Sequence, residues 1–190
     1  KNLGFEYFKK LINLYAFENN NEFGQVTIGL EADLHPQIYA ERYSEHLSYI
    51  KEISDSGEVR IVGVSDFSKW YREKFPELSP PHIIESKDFL SSENRVFWYQ
   101  SPGYRINFVY NEEDKAILVN DIRVYSSNFQ EPYYLIPNSD FLLKINIPSL
   151  IDSVINPSEV WKIDTGEMIS FSGNNKNYHV KTDKIMLEFK

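Results

Sequence analysis

Apolar positions recur with two different spacings along the chain, and the change of spacing near residue 80 divides it. Over residues 3–17, Phe8, Leu11, Ile12 and Tyr15 fall on one face and Lys9, Lys10 and Asn13 on the other, the three-and-four spacing of an amphipathic helix. The polar run Glu18 to Glu22, with Gly24, ends that helix. Gln25 to Leu30 then reads as a short buried strand, rich in β-branched residues and free of charge, which stops at Glu31. Pro36 suits the first turn of a second helix, where its missing N–H is not needed. The stripe of that helix is Tyr39, Arg42, Tyr43, His46, Leu47, Ile50 and Ile53, and Gly57 is its natural stop. Val59 to Val64 reads as a second buried strand, after which Ser65 or Asp66 can cap a short helix over residues 67–75.

The order helix, strand, helix, strand, helix implies parallel strands joined by right-handed crossovers. Two strands cannot form a sheet buried on both faces, and a closed barrel of βα units takes roughly eight of them. Either further units lie upstream or the strands join another chain's sheet; the first is favoured here, and residues 1–80 are expected to be the C-terminal portion of a (β/α) barrel completed by an upstream portion of the same protein. Residues 77–82, with consecutive prolines at Pro80 and Pro81, are the expected linker.

Beyond the linker the period becomes two. Short Val-, Ile-, Tyr- and Phe-rich runs at residues 95–100, 103–110, 115–125, 133–136, 141–147, 160–163, 168–172, 178–181 and 184–189 are separated by turn sequences such as Ser101-Pro102-Gly103 and Thr165-Gly166. Residues 81–190 are accordingly expected to form an antiparallel β-sandwich, with residues 149–155 as a single helical turn. The fold class is α/β plus all-β.

Charge and composition narrow the function classes. A net charge of −8 with no clustered Lys and Arg argues against nucleic acid as a partner. No apolar run is long enough to span a bilayer, and the first residues carry no signal-peptide pattern. The absence of cysteine excludes disulfides and thiolate chemistry, and Pro157 blocks the one N-x-S/T triplet, at Asn156. The expected location is the cytoplasm. No glycine-rich phosphate loop and no cofactor motif is present, and His35, His46, His82 and His179 have no metal-ligand spacing.

In α/β barrels, functional groups gather on the loops that lead from strand ends into helices. That rule selects Glu31, Asp33 and His35 after the first strand, and Ser65 and Asp66 after the second. Glu31 and Asp33 are the paired carboxylates that glycoside hydrolysis requires. In the competing assignment Asp33 or His35 caps the next helix and Glu31 pairs with a nearby cation. In the β region Trp98, Tyr99 and Tyr104 flank Pro102, and Phe129, Tyr133 and Tyr134 flank Pro132. Such rings serve either as sugar-stacking platforms or as core packing.

The segments Gly29-Leu30-Glu31-Ala32-Asp33-Leu34-His35 and Val62-Gly63-Val64-Ser65-Asp66-Phe67, within residues 25–76, resemble the closing part of the barrel shared by polysaccharide deacetylases and family 57 glycoside hydrolases. The resemblance implies a carbohydrate substrate. It makes Glu31 or Asp33 one of two catalytic carboxylates, with the other supplied upstream, and it places His35 and Asp66 at substrate-binding positions, to which Trp98 and Tyr99 of the β region are added as candidate sugar-stacking rings. The alternative is a non-catalytic binding or assembly protein built on a degenerate barrel.

Overall fold

The computed structural model describes residues 4–18, 21–29, 35–90, 93–125 and 149–190. It divides into two compact units, Lys1–Leu78 and Ser79–Lys190.

The first unit contains α1 (Phe5–Ala16), α2 (Pro36–Asp55) and α3 (Val64–Lys74). α1 lies on α2 through its aromatic stripe: the Phe8 and His46 rings stack with centroids 4.0 Å apart, and Tyr49 Oη donates to Asn13 Oδ1 at 3.3 Å. Ile12, Leu14 and Ile53 are buried in this unit. Gly57, at a φ of 84°, takes the left-handed conformation that lets the chain turn off α2. α3 is capped by Gly63, two residues before Ser65 and three before Asp66, so both expected caps fall in its first turn. Phe23 inserts among Phe67, Trp70, Tyr71 and Phe75, with ring centroids between 5.5 and 6.2 Å.

The two strands expected in this unit are not formed among the described residues: 25–29 and 59–63 are irregular. A strand exists only where a neighbour accepts and donates its ladder hydrogen bonds, and no described segment runs beside either one. Several of their apolar side chains are left in solvent, with Val26 37%, Ile61 66% and Val62 41% exposed. Just before the first of these segments the chain passes close to the end of α1, where a Cβ on Gly24 would meet the Ala16 carbonyl oxygen at 2.6 Å. So small a buried set makes a further expectation concrete. A fragment ending at Leu78 should show no cooperative thermal transition as a dilute monomer, and a sharp, concentration-independent melt by circular dichroism would contradict it.

The second unit is antiparallel throughout its described strands. These are β1 (His82–Lys87), β2 (Arg95–Gln100), β3 (Tyr104–Asn111), β4 (Ala116–Val124), β5 (Ser149–Asp152), β6 (Trp161–Asp164), β7 (Ile169–Asn174), β8 (Asn177–Thr182) and β9 (Met186–Phe189). Among the described residues the larger sheet runs β1-β2-β3-β4, and β4 then pairs with both β5 and β6; the smaller sheet is β7-β8-β9. β4 can serve two partners because the register shifts around Asn120, whose carbonyl is taken up by Ser153 N at 2.9 Å. Ala116–Val119 pair with β6 on one side of this irregularity, and Asp121 to Arg123 pair with β5 on the other.

Two elements depart from the sequence expectation. β1 starts directly after the two prolines, which stand before the strand where a missing N–H costs the ladder nothing. β5 occupies the stretch expected to be a helical turn, because Ile151 and Asp152 pair with Ile122 and Asp121. The runs expected at residues 133–136 and 141–147 lie outside the described residues.

Alternation at period two delivers one shared core. Phe97 and Tyr99 of β2, Phe108 and Tyr110 of β3, and Ile117 and Val119 of β4 meet Tyr178, Val180 and Phe189 of the smaller sheet. Phe97 is its centre, with ring centroids 4.6 Å from Phe108, 5.0 Å from Phe189 and 5.4 Å from Tyr178. A polar clamp closes the rim of this core. Tyr178 Oη donates to Glu85 Oε2 at 2.9 Å, Glu85 pairs with Arg95, and the Arg95 guanidinium lies 4.1 Å above the Phe171 ring. Burial, then the Glu85 carboxylate, hold the Tyr178 phenol well above its usual range.

Candidate functional site

The alternation that sends Phe97, Phe108 and Ile117 into the core sends a polar set to the opposite face of the larger sheet. Trp98 pairs with Asn107, Asn107 with Asp121, and Asp121 with Asp152, so one row crosses four strands. In the next row Arg105 stands opposite Arg123. Like charges directly opposite one another in a ladder repel. Here the repulsion is cancelled diagonally: Arg105 donates through Nε and Nη2 to the two carboxylate oxygens of Asp121 at 2.8 and 2.9 Å. Arg123 donates through Nε to Asp121 Oδ2 at 3.1 Å and through Nη2 to Asp152 Oδ2. Asp152 Oδ1 also accepts from Ile155 N at 3.2 Å, which fixes the turn after β5.

Asp121 is only 5% exposed. Burial alone would raise its carboxyl, but hydrogen bonds from Arg105 and Arg123 outweigh that and hold it below the ordinary aspartate value. Asp121 therefore stays ionised at neutral pH. A carboxylate so held is a fixed acceptor for the two guanidiniums and a poor proton donor, which does not suit it to acid catalysis.

Beside the charged network lies Trp98, half-buried, with the Arg105 guanidinium 5.7 Å from the centre of its ring. Asn107 turns its amide back onto the sheet, donating to the Phe97 carbonyl oxygen at 3.0 Å. The phenol of Tyr125, just past β4, also reaches Arg105.

No family model, curated protein or solved structure matches this chain. Its residues alone carry the functional argument.

The residues selected from sequence fall in several places. Glu31 and Asp33 lie outside the described residues. His35 is the N-cap of α2, its Nδ1 accepting from Gln37 N at 3.4 Å. Asp66 is exposed in the first turn of α3, where its charge complements the helix dipole. Trp98 and Tyr99 are adjacent in sequence and therefore face opposite sides of the sheet. Trp98 belongs to the polar face, whereas Tyr99 is fully buried between Tyr104 and Phe189 and offers no open ring surface. Phe129, Tyr133 and Tyr134 lie outside the described residues. Among the described residues no three His, Asp or Glu side chains converge on a metal-sized site, and no helix is long and apolar enough to cross a membrane.

The charged network was the feature that sequence reasoning missed. Its signal is the i, i+2 pattern of Arg105-Ile106-Asn107 and Asp121-Ile122-Arg123, in which polar side chains interleave with core isoleucines.

Tyr99 itself yields a test of the core. Burial, with the neighbouring Tyr104 phenol, pushes its hydroxyl up to about 12. Ser101 and Tyr104 are the nearest polar side chains, yet Tyr99 Oη is buried without a hydrogen bond of acceptable geometry among the described residues. Tyr99→Phe should thus leave stability unchanged or raise it by up to about 1 kcal/mol, since it removes an unmet polar group while keeping the ring. A clear loss of stability in urea denaturation would show that the hydroxyl is satisfied.

Proposed function

We propose that this chain is part of a carbohydrate-active hydrolase of the glycoside hydrolase or polysaccharide deacetylase type. Residues 1–80 contribute the last βα units of its barrel and part of the active-site rim, and residues 81–190 form an accessory β-sandwich. One observation carries the reading. α3 begins directly after the irregular segment 59–63, with Asp66 in its first turn, and α2 follows segment 25–29 in chain order, with His35 at its cap. This is the arrangement in which loops at the mouth of a barrel present polar groups to a substrate. The unpaired segments 25–29 and 59–63 are those that such a barrel takes in as strands, with the upstream portion of the same protein as their neighbour.

A second reading, a non-catalytic binding or assembly protein, draws on the exposed apolar run Ile61, Val62 and Val64, which can equally serve association with another chain. Turnover separates the two. Under the hydrolase reading, the protein that carries this chain releases reducing ends or acetate from a polysaccharide. Under the second it binds or assembles and releases neither.

A further inference from the structure

We infer that the loop joining β5 to β6, residues 153–160, is a membrane-contact tip that inserts Val154 and Ile155 into the surface of an electrically neutral lipid bilayer. The inference is independent of the hydrolase reading. It stands on the exposure, hydrogen bonding and charge of the loop.

The loop leaves and rejoins the larger sheet at neighbouring positions of β4. Ser153 N donates to the Asn120 carbonyl at 2.9 Å, and Trp161 is paired with Val119. Between these two points Val154 is 89% and Ile155 80% exposed, and Trp161, at the base of the loop, is 55% exposed. Single exposed apolar residues are ordinary on a protein surface. Two adjacent ones on a loop with an exposed indole at its base form a continuous apolar patch, which marks a contact site.

The polar groups of the loop are satisfied from within. Ile155 N donates to Asp152 Oδ1 at 3.2 Å, and Asn156 N donates to the Asp152 carbonyl at 2.9 Å. Ser158 N donates to Asn156 Oδ1 at 3.4 Å and Glu159 N to the Asn156 carbonyl at 2.9 Å, while Pro157 has no N–H to satisfy. Asn156 Nδ2 donates to Glu159 Oε1 and Ser158 Oγ to Asn156 Oδ1, both at 2.8 Å. Backbone that enters a bilayer must find its partners internally, because the medium supplies none. A protein partner would instead draw on about one hydrogen bond per 100–200 Å² of interface, and the loop has spent most of its donors on itself.

Charge selects the kind of surface. Residues 153–158 carry no ionisable side chain, and the acidic groups on either side are Asp152, which Arg123 engages, and Glu159. Lys162 is held by Asp114 at 2.9 Å, and the whole chain has a net charge of −8. An anionic leaflet repels such a protein, whereas a zwitterionic one does not. At a zwitterionic surface Val154 and Ile155 reach the acyl boundary, and the Trp161 ring takes the headgroup level that indole favours.

The test uses the full chain and vesicles of phosphatidylcholine, with vesicles of equal parts phosphatidylcholine and phosphatidylserine as the anionic counterpart. The protein should co-sediment with the neutral vesicles at millimolar lipid, and no better with the anionic ones. The double substitution Val154→Ser, Ile155→Ser should lower that partition about tenfold or more while the thermal midpoint stays close to wild type. Phosphatidylcholine brominated in its acyl chains should quench part of the tryptophan fluorescence, and that part should be missing in Trp161→Phe. No binding to neutral vesicles, preference for anionic ones, binding unaltered by the double substitution, or quenching that survives Trp161→Phe would each overturn the assignment. A dimer formed without vesicles and dissolved by the same double substitution would overturn it too, because the tip would then be covered by a second copy of the chain.

Discussion

Asp121→Ala is expected to lower the unfolding free energy of the second unit by about 3 kcal/mol. The carboxylate is buried and receives three hydrogen bonds from two arginines that face each other across β3 and β4. Removing it leaves Arg105 and Arg123 opposed without a counter-ion, and the penalty of an uncompensated charge exceeds the value of the pair itself. The lower end of the usual 3–5 kcal/mol range applies because Arg105 keeps contact with solvent, its side chain being 28% exposed. The same contacts set a pH dependence. The folded-state pKa of Asp121 is depressed, so its contribution is fully present above the unfolded value of about 3.9 and is lost as pH falls through the lower folded value. Asp121→Asn, which keeps the shape and cannot ionise, should be less stable than wild type at pH 7, and the gap should close toward pH 2. Denaturant melts over that range check both statements. A gap that stays constant with pH would mean that the carboxylate's charge contributes nothing.

How much was legible in the sequence depended on where each element found its partner. Helices α1 and α2 carry their own hydrogen bonds, so periodicity, Pro36 and Gly57 were enough to place them. β2, β3 and β4 were legible because alternation over six or more residues is specific, and the turn residues between them fix the register. Segments 25–29 and 59–63 have the composition of strands, yet composition cannot supply the neighbour that a strand requires. β5 was misread for the converse reason: Ser149–Asp152 is too short to show a period, and only its pairing with β4 makes it a strand. The candidate site followed the same rule. Trp98 was visible as an aromatic, but its separation from Tyr99 depends on strand alternation. The Arg105, Asp121, Arg123 and Asp152 network depends on register across three strands, which no single segment encodes.

Glu31→Gln is expected to reduce glycan turnover by about 10²–10⁴-fold in the protein that carries this chain, the usual cost of losing a general acid or base. The argument is geometric and chemical. The apolar run 25–30 ends at Glu31, so its carboxylate is the first ionisable group past the strand that the barrel reading requires, where ligands gather. Asp33 lies two residues on and can project to the same side of an extended chain. A neighbouring carboxylate raises the apparent pKa of one member of such a pair, which is how an acid and a base coexist at one pH. The amide of Gln keeps the shape and abolishes the charge, so a loss of rate would report chemistry rather than packing. Asp33→Asn should fall by a similar factor if the two carboxylates act as a pair. The most direct measurement is kcat for release of reducing ends or acetate, determined side by side for wild type, Glu31→Gln and Asp33→Asn at matched thermal stability. At least one variant should lose about 10²-fold or more in kcat. Near-normal turnover in both variants, or no turnover by the wild-type protein on any glycan tested, would contradict the hydrolase reading.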